Sequence, residues 1–320
     1  MKTYDLVIVG GGPAGLSASI YAARAGLKVL VLEQTISGGQ MRLTGTIENY
    51  PGFPEVTGAE LSEALHRQAQ KQGAELAASV ARTLKAEDGR FVIESSTGTY
   101  LCGAVVAASG TFHRNLPCPG AEEFVGRGVS FCALCDAGFV RDETVAAVGG
   151  GNSALEEADF LTKYASKVYV IHRRDEFRAD RALQDRVRAN PKIELVLSAE
   201  IDAIEGSDIV ERVLVRDKKT GEVKELSVGG IFMFVGSSPN ADYLPRDVKR
   251  AEGGWIATDQ NLQTSLPGLF AAGDVRDTDM RQIVTATADG ARAGMNAHKY
   301  LEETRWEERL GTYRASHGKS

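Results

Sequence analysis

The chain is 320 residues long, 43% hydrophobic and 25% charged, the composition of a soluble globular protein with chain enough for two cores. Its net charge of −6 gives no general attraction to nucleic acid or an anionic membrane, and no apolar run approaches the roughly 18 residues that cross a bilayer. Four cysteines are too few for a disulfide framework, so a single C-x-x-C here points to redox or metal chemistry in a cytoplasmic setting.

The first predicted strand, Leu6–Val9, is short and wholly apolar, as in a parallel strand buried on both faces. It begins almost at Met1, so no leader is expected. It enters Gly10-Gly11-Gly12-Pro13-Ala14-Gly15, and a helix rich in small residues follows to Ala25. A second strand, Lys28–Leu32, ends at Glu33. A G-x-G-x-x-G alone is a weak signal, but strand, helix, strand and terminal acid in register make a dinucleotide fingerprint. The glycines let a pyrophosphate reach backbone N–H groups at a helix N-terminus. Glu33 would bond a ribose 2′-OH and repel a 2′-phosphate, which favours FAD or NAD over NADP at this site. The glycine-rich turn Ser37–Met41 and the loop Ile47–Pro54 carry no signature by themselves. Thr57 and Glu60 form a capping box for a helix to about Gln72, stopped by Gly73. Within it His66 has no His or Cys at ligand spacing and reads as a helix-surface residue. Strands near Val80–Lys85, Arg90–Glu94 and Tyr100–Leu101 suggest a β-meander, with Ala104–Gly110 as a further buried strand running into glycine.

The next chemistry-bearing stretch is Ser130-Phe131-Cys132-Ala133-Leu134-Cys135-Asp136. A structural zinc site would want a second pair, and Cys102 and Cys118 are isolated with no histidine at finger spacing. They read as ordinary small apolar residues. An inert Cys132–Cys135 pair would leave Asp136 unexplained. A thiol in C-x-x-C attacks disulfides near neutral pH, and a neighbouring carboxyl can pass a proton to the leaving thiolate. The reading is a redox-active disulfide, with no metal.

A second nucleotide pattern follows: a strand at Thr144–Val148, then Gly149-Gly150-Gly151-Asn152-Ser153-Ala154, then a strand at Val168–Ile171. Gly10 to Glu33 and Gly149 to His172 are both 23 residues, and each unit finishes with an apolar strand into glycine, at Gly110 and at Gly236. Two tandem copies of one fold are the economical explanation. Where the first copy has Glu33, the second has His172-Arg173-Arg174, with Arg178 a turn further on. Exchanging the acid for guanidinium groups converts a free-ribose site into one for a 2′-phosphate. Arg181, Arg186 and Arg188 read as surface, since helical spacing turns Phe177, Leu183 and Val187 toward a core. The last part, about 80 residues after Gly236, holds a proline-containing linker to Pro245, a strand at Gly268–Gly273 followed by Asp274, and a helix from about Arg281 to Glu303. It is too short for a third doubly wound domain and must pack on an earlier unit; pattern does not say which. The tail beyond Trp306 has no readable function.

Together, Gly10–Gly15, Gly38-Gly39-Gln40, Glu48-Asn49-Tyr50-Pro51-Gly52, Cys132–Asp136, Gly149–Ala154 with Glu156-Glu157, His172–Arg178, and Gly273-Asp274 with Arg281-Gln282 give a chain that resembles the low-molecular-weight, bacterial-type thioredoxin reductases over essentially its whole length. The resemblance implies an α/β fold of two tandem Rossmann-like dinucleotide-binding domains, each a three-layer ββα arrangement. The FAD domain would be discontinuous, from residues 1–115 and 243–320, and residues 116–242 would form the NADPH domain with the disulfide. By the same resemblance FAD is held by Gly10, Gly12, Pro13, Ala14, Gly15, the stretch Glu33 to Gln40 (Glu33, Gln34, Gly39 and Gln40 foremost), Asn49, Gly273, and Asp274 to Ile283 with Arg281 and Gln282. NADPH is held by Gly149, Gly151, Asn152, Ser153, Ala154, Glu156, His172, Arg173, Arg174 and Arg178. Cys135 would face the flavin, Cys132 would attack the disulfide of thioredoxin or a thioredoxin-like protein, and Asp136 would be the acid. The family's nicotinamide domain swivels, and its members are homodimers. Two departures bear on disulfide potential and docking: Leu134 stands where the family has Thr or Val, and Ala137-Gly138-Phe139 where it has Gly-Phe-Phe or Gly-Ala-Phe. Thiol oxidases and ferredoxin-fed reductases of this fold would not need the arginines, and ferredoxin–NADP reductases lack the C-x-x-C. The flavoenzyme of alkyl hydroperoxide reduction carries an extra N-terminal domain. A redox-sensing flavin module without turnover is the alternative from outside the enzymes.

Overall fold

In the computed structural model, which describes residues 1–34, 37–44, 47–306 and 308–311, the chain opens on β1 (Lys2–Val9). Next come α1 (Pro13–Arg24), β2 (Val29–Glu33) and α2 (Gly58–Lys71). Proline at the start of α1 presets the helical φ and gives up an N–H that the first turn cannot use. α2 begins at the expected capping box: the Glu60 N–H donates to Thr57 Oγ1 and the Thr57 N–H to Glu60 Oε2, both at 3.1 Å. β3 (Glu75–Ala78), β4 (Ala81–Glu87), β5 (Arg90–Ser95), β6 (Thr99–Ala107) and β7 (Thr111–His113) follow.

β6 corrects one expectation. The Tyr100–Leu101 strand and the buried strand after Ala104 are a single strand. Its first part pairs antiparallel with β5, and it pairs parallel with β1 from Tyr100 to Ala107. Gly103, which looks like a break in the sequence, lies in mid-strand because a Cβ there would stand 2.5 Å from Leu301 and from the Trp306 ring. Close packing by the end of the chain, rather than a turn, requires the glycine.

The middle of the chain gives β8 (Val129–Ser130), α3 (Ala133–Asp136), β9 (Thr144–Val148), α4 (Asn152–Leu161), β10 (Lys167–His172), α5 (Arg181–Ala189), β11 (Ile193–Leu197), β12 (Ala199–Gly206), β13 (Val210–Asp217), β14 (Val223–Ser227) and β15 (Gly230–Met233). The chain ends with β16 (Ser237–Pro239), β17 (Leu269–Ala271) and α6 (Ile283–Glu303). Two units result: Met1–Phe112 with Ser238–Ser320, and His113–Ser237. The final segment therefore belongs with the first unit, a point that pattern leaves open.

In the first unit the parallel strands lie in the order β3-β2-β1-β6, and β17 adds to the Val105–Ala107 end of β6. In the second the order is β11-β10-β9-β15-β8, also parallel. The internal repeat is thus a repeat of sheet order. The fifth strand differs in origin: the C-terminal segment supplies it in the first unit, the segment before β9 in the second.

Alternation along the strands divides each unit into layers. Leu6, Ile8, Val29 and Val31 pack with Leu16 and Ile20 of α1 and Ala293 and Ala297 of α6, while Val7, Leu30, Leu32 and Val105 pack with Leu84 and Ile93 of the meander on the other face. In the second unit Val145, Val168 and Val170 meet Leu155 and Leu161 of α4, and Ala146, Ile171 and Ile231 meet Ile201 and Val213 of the β12–β14 meander. Each fully buried Leu, Ile or Val contributes about 1.5–3 kcal/mol, so the sandwich of helix, parallel sheet and meander holds the glycine loops rigidly at the strand ends.

Candidate active site

In the first unit β1 delivers the chain to Gly10, whose φ of 107° suits glycine alone. A side chain at Gly15 would strike the Gly10 carbonyl, so loop and helix pack with nothing between them. No side chain caps α1 at Gly12, and the nearest heavy atom to a Cβ built there is the Gly39 Cα at 4.0 Å. Pro13 and Ala14 form the first turn of α1, whose N–H groups are thus open to a phosphate. The second glycine turn closes on the first through the Gly38 N–H, which donates to the Gly11 carbonyl at 2.7 Å. Glu33 ends β2 and accepts from the Gly11 and Gln34 N–H groups, both at 2.7 Å. Its carboxylate therefore lies beside the loop, where a ribose hydroxyl could exchange with either donor. Gln40 Nε2 donates to the Thr111 carbonyl and to Thr111 Oγ1. Thr35 and Ile36, within the expected stretch Glu33 to Gln40, lie outside the described residues.

Residues from the end of the chain join this cradle. Gly273 packs against Ala14, and its N–H donates to Asp289 Oδ2 at 3.2 Å. Burial pushes the Asp274 carboxyl up to about 6, with Asp289 adding to the rise and Arg281 opposing it. The Arg281 guanidinium lies over the Trp255 ring at 4.0 Å, a favourable cation–π stack. Its buried Nε has no partner among the described residues. Gln282 caps α6 just before Ile283 and accepts from Asn49 Nδ2 at 3.2 Å. An uncapped helix start, an approach that only glycine allows, and a guanidinium whose buried Nε has no partner among the described residues fit a bound dinucleotide.

The second unit repeats the cradle with different polar groups. Gly149 follows β9 with φ 153°, and α4 begins at Gly151 without a side-chain cap. Apart from its own chain neighbours, no described residue comes within 4 Å of a Cβ at Gly151. Asn152 is tied to Asp180, donating from Nδ2 at 2.9 Å and accepting the Asp180 N–H at 2.8 Å. Ser153 is exposed and Ala154 buried on the sheet. His172, 7% exposed, stacks on Phe177 at 5.4 Å and lies under Gly150. Burial, helped by Arg174, Arg173 and Arg178 and opposed by the hydrogen bond with the Glu176 backbone, lowers its pKa. Its ring fills the space under the loop, and the arginines stand outside it. Arg173, Arg174 and Arg178 are exposed, and no carboxylate pairs with them among the described residues. The Arg178 N–H donates to the Gly150 carbonyl at 2.8 Å, which anchors the arginine loop to the glycine loop. By contrast Arg181 and Arg186 pair with Asp185 and Asp159 at 3.6 and 3.1 Å, as surface residues do.

Between β8 and β9 of the same unit, Cys132 and Cys135 form a disulfide with Cα atoms 5.4 Å apart. Cys132 is the N-cap of α3, and its Sγ accepts the Cys135 N–H at 3.2 Å. Ser130 organises the turn. Its hydroxyl donates to Asp136 Oδ2 at 2.7 Å and accepts the Cys132 N–H at 3.1 Å. Burial raises the Asp136 pKa, with the Ser130 bond opposing it, so this carboxyl holds a proton to higher pH than an exposed aspartate. Leu134 and Phe139 beside the disulfide are 46% and 59% exposed. Cys102 is fully buried, and burial raises both its pKa and that of Cys118, the opposite of an activated thiol.

Residues 4–290 match the pyridine nucleotide-disulphide oxidoreductase family. The thioredoxin reductases of Treponema pallidum (strain Nichols) and Peptoclostridium litorale are both 42% identical to the chain. The alignments run over 300 and 309 residues, 93% and 94% of this chain and 97% and 98% of theirs. The crystal structure of thioredoxin reductase from Streptococcus pyogenes MGAS5005 superimposes with a TM-score of 0.89 at 42% identity, covering 94% of this chain and 99% of that one. The chain belongs to the thioredoxin reductase family. It is accordingly a flavoprotein oxidoreductase with FAD and NADPH as cofactors.

Two residues beside the family's disulfide were not among the sequence-derived site residues. Ser130 gives no advance signal, because its role depends on a turn that returns Asp136 to it. Glu157 does give one. It shares a helical face with Ala154 and Leu161, both buried, so the 3.6-residue period turns it inward, whereas Glu156 is exposed. Its Oε2 accepts the Ala133 N–H at 3.0 Å.

Proposed function

We propose that the protein reduces thioredoxin or a thioredoxin-like protein with electrons from NADPH, through FAD and then Cys132–Cys135. In this reading Met1–Phe112 with Ser238–Ser320 holds FAD, and His113–Ser237 holds NADPH. The observation that carries it is the disulfide of α3 in the same unit as a glycine loop flanked by three arginines that have no carboxylate partner among the described residues. Bound NADPH and FAD supply the two electrons that open the disulfide.

The chain's own residues do the rest. Gly149, Gly151, Asn152, Ser153 and Ala154 present the loop and helix start to the pyrophosphate, with Glu156 at its edge, and Arg173, Arg174 and Arg178 grip the 2′-phosphate. In the other unit Gly10, Gly12, Pro13, Ala14 and Gly15 receive the flavin dinucleotide's phosphates and Glu33 its ribose. Gln34, Gly39, Gln40, Asn49, Gly273, Asp274, Arg281, Gln282 and Ile283 line its remainder. In the reduced enzyme the Cys132 thiolate attacks a sulfur of the partner's disulfide, forming a mixed disulfide and expelling a thiolate that takes the Asp136 proton. The Cys135 thiol then attacks Cys132 Sγ, expelling the partner's second sulfur as a thiolate that takes up the proton Cys135 releases, and restores the Cys132–Cys135 bond. The partner gains two electrons and two protons; the enzyme loses two electrons and two protons, those of Asp136 and Cys135. The exposed Leu134 and Phe139 offer apolar surface beside that exchange. A homodimer acting in the cytoplasm is the setting this reading implies, and no helix among the described residues is long and apolar enough to cross a membrane.

The two cysteine variants test it. Cys132→Ser and Cys135→Ser should each keep FAD and its bleaching by NADPH under anaerobic conditions, yet lose NADPH-dependent reduction of thioredoxin. Substantial turnover with either variant would rule out the two-cysteine relay.

A further inference from the structure

Glu157 sits where the redox turn can be biased. α3 has one turn, and the backbone amides at its start are the dipoles on which a Cys132 thiolate would draw. In the oxidised protein Cys132 Sγ accepts the Cys135 N–H, at 3.2 Å. The Ala133 N–H goes to Glu157 Oε2 at 3.0 Å, and the same carboxyl also draws on the Leu134 N–H. Glu157 stands on α4, the helix that begins at the glycine loop. One side chain therefore fastens the disulfide turn to the nucleotide-loop helix and competes with Cys132 for the turn's amides. The other carboxyls around it are Glu156, its exposed neighbour on α4, and Asp136 on the turn itself, which is turned toward Ser130.

We propose that Glu157 is a positioning residue that keeps the Cys132–Cys135 pair strongly reducing, by claiming the amides of α3 and placing a negative charge where the Cys132 thiolate would form. Reduction adds two electrons and two protons to the disulfide, and at neutral pH part of the Cys132 thiol loses its proton again. A carboxylate on the adjacent amides penalises that thiolate, and so penalises the reduced pair relative to the disulfide. The reduced pair then gives its electrons up more readily. Burial raises the Glu157 pKa and Glu156 adds to the rise, while the two amide bonds oppose it by favouring the charged form.

The inference rests on the disulfide reading above, and the FAD-loaded full chain tests it with two variants. Glu157→Gln keeps an oxygen for the amides and removes the charge; Glu157→Ala removes both. The readouts are the equilibrium of the Cys132–Cys135 pair with a glutathione or dithiothreitol buffer, and the pH dependence of Cys132 alkylation in the reduced protein. For Glu157→Gln we expect the equilibrium to move about tenfold toward the dithiol, a rise of roughly 30 mV in potential, with Cys132 alkylated at lower pH than in wild type. Glu157→Ala should shift the equilibrium the same way. An unchanged equilibrium and alkylation profile in Glu157→Gln, in a wild type that does reduce thioredoxin, would overturn this inference alone. A wild type whose Cys132–Cys135 pair takes no part in NADPH-dependent reduction would overturn the functional reading itself.

Discussion

Arg173, Arg174 and Arg178 show how far a single position carries information. The 23-residue spacing lines up His172 with Glu33, and that comparison makes the arginines legible as a phosphate grip before any coordinates. Their lack of carboxylate partners, against the paired Arg181 and Arg186, agrees with that grip. Each charge-assisted hydrogen bond is worth roughly 1.5–3 kcal/mol, so Arg173→Ala with Arg174→Ala should lower kcat/KM for NADPH tenfold or more and leave NADH almost unchanged. Steady-state kinetics with both cofactors would show it; equal loss for both would move the arginines out of phosphate recognition. His172 lies deeper. The sequence groups it with the arginines as a cofactor residue, and its ring is buried on Phe177 under Gly150, inside the loop that they flank. Burial of this kind depends on a loop folding back, which no local pattern announces.

At the scale of elements, β1, β2, β9, β10 and α2 were readable because apolar runs, glycine stops and the Thr57–Glu60 box are local signals, whereas β11 to β14, whose apolar residues are interleaved with charged ones, were not. The unbroken β6 was not, since the reason for Gly103 lies some 200 residues away, at Leu301 and Trp306. α6 gives the same lesson. Its 3.6-residue pattern marks a helix, but only the structure shows that it packs directly on α1, with Gly290 against the Ala14 carbonyl. Ala14 is in the first turn of α1, so this contact also sets the phosphate end of the cradle. Gly290→Leu should force the two helices apart, cost at least about 1–3 kcal/mol, and reduce the flavin bound per chain. Thermal melting together with the flavin-to-protein absorbance ratio measures both effects; unchanged values would mean that the α1–α6 approach has slack.

At the scale of the molecule, the tandem repeat was visible as two strand–glycine–helix–strand sequences. The crossed origin of the fifth strands was not, because it follows from the return of the chain at Ser238. One consequence is a pH-dependent stability in the first unit. Burial holds the Asp274 pKa at about 6, above the roughly 4 of an unfolded chain. The native state therefore binds a proton more tightly than the unfolded state. Asp274 contributes full stability below about pH 4, and that stability is lost as pH rises through about 6. In the apoprotein Asp274→Asn should melt higher than wild type at pH 7, by up to about 3 kcal/mol, with the gap closing toward pH 4. A gap that is constant with pH would remove Asp274 as its source.

The central claim, an electron path from NADPH to a protein disulfide, is tested most directly by turnover with a bacterial thioredoxin. Purified wild type, loaded with FAD, is supplied with thioredoxin and either NADPH or NADH, and the thiols formed on thioredoxin are counted against the nicotinamide consumed. The account predicts two thiols per NADPH, a rate with NADH at least tenfold lower, and no thiols with Cys132→Ser. Nicotinamide consumed without thioredoxin thiols, or thiols formed as fast with Cys132→Ser as with wild type, would contradict it.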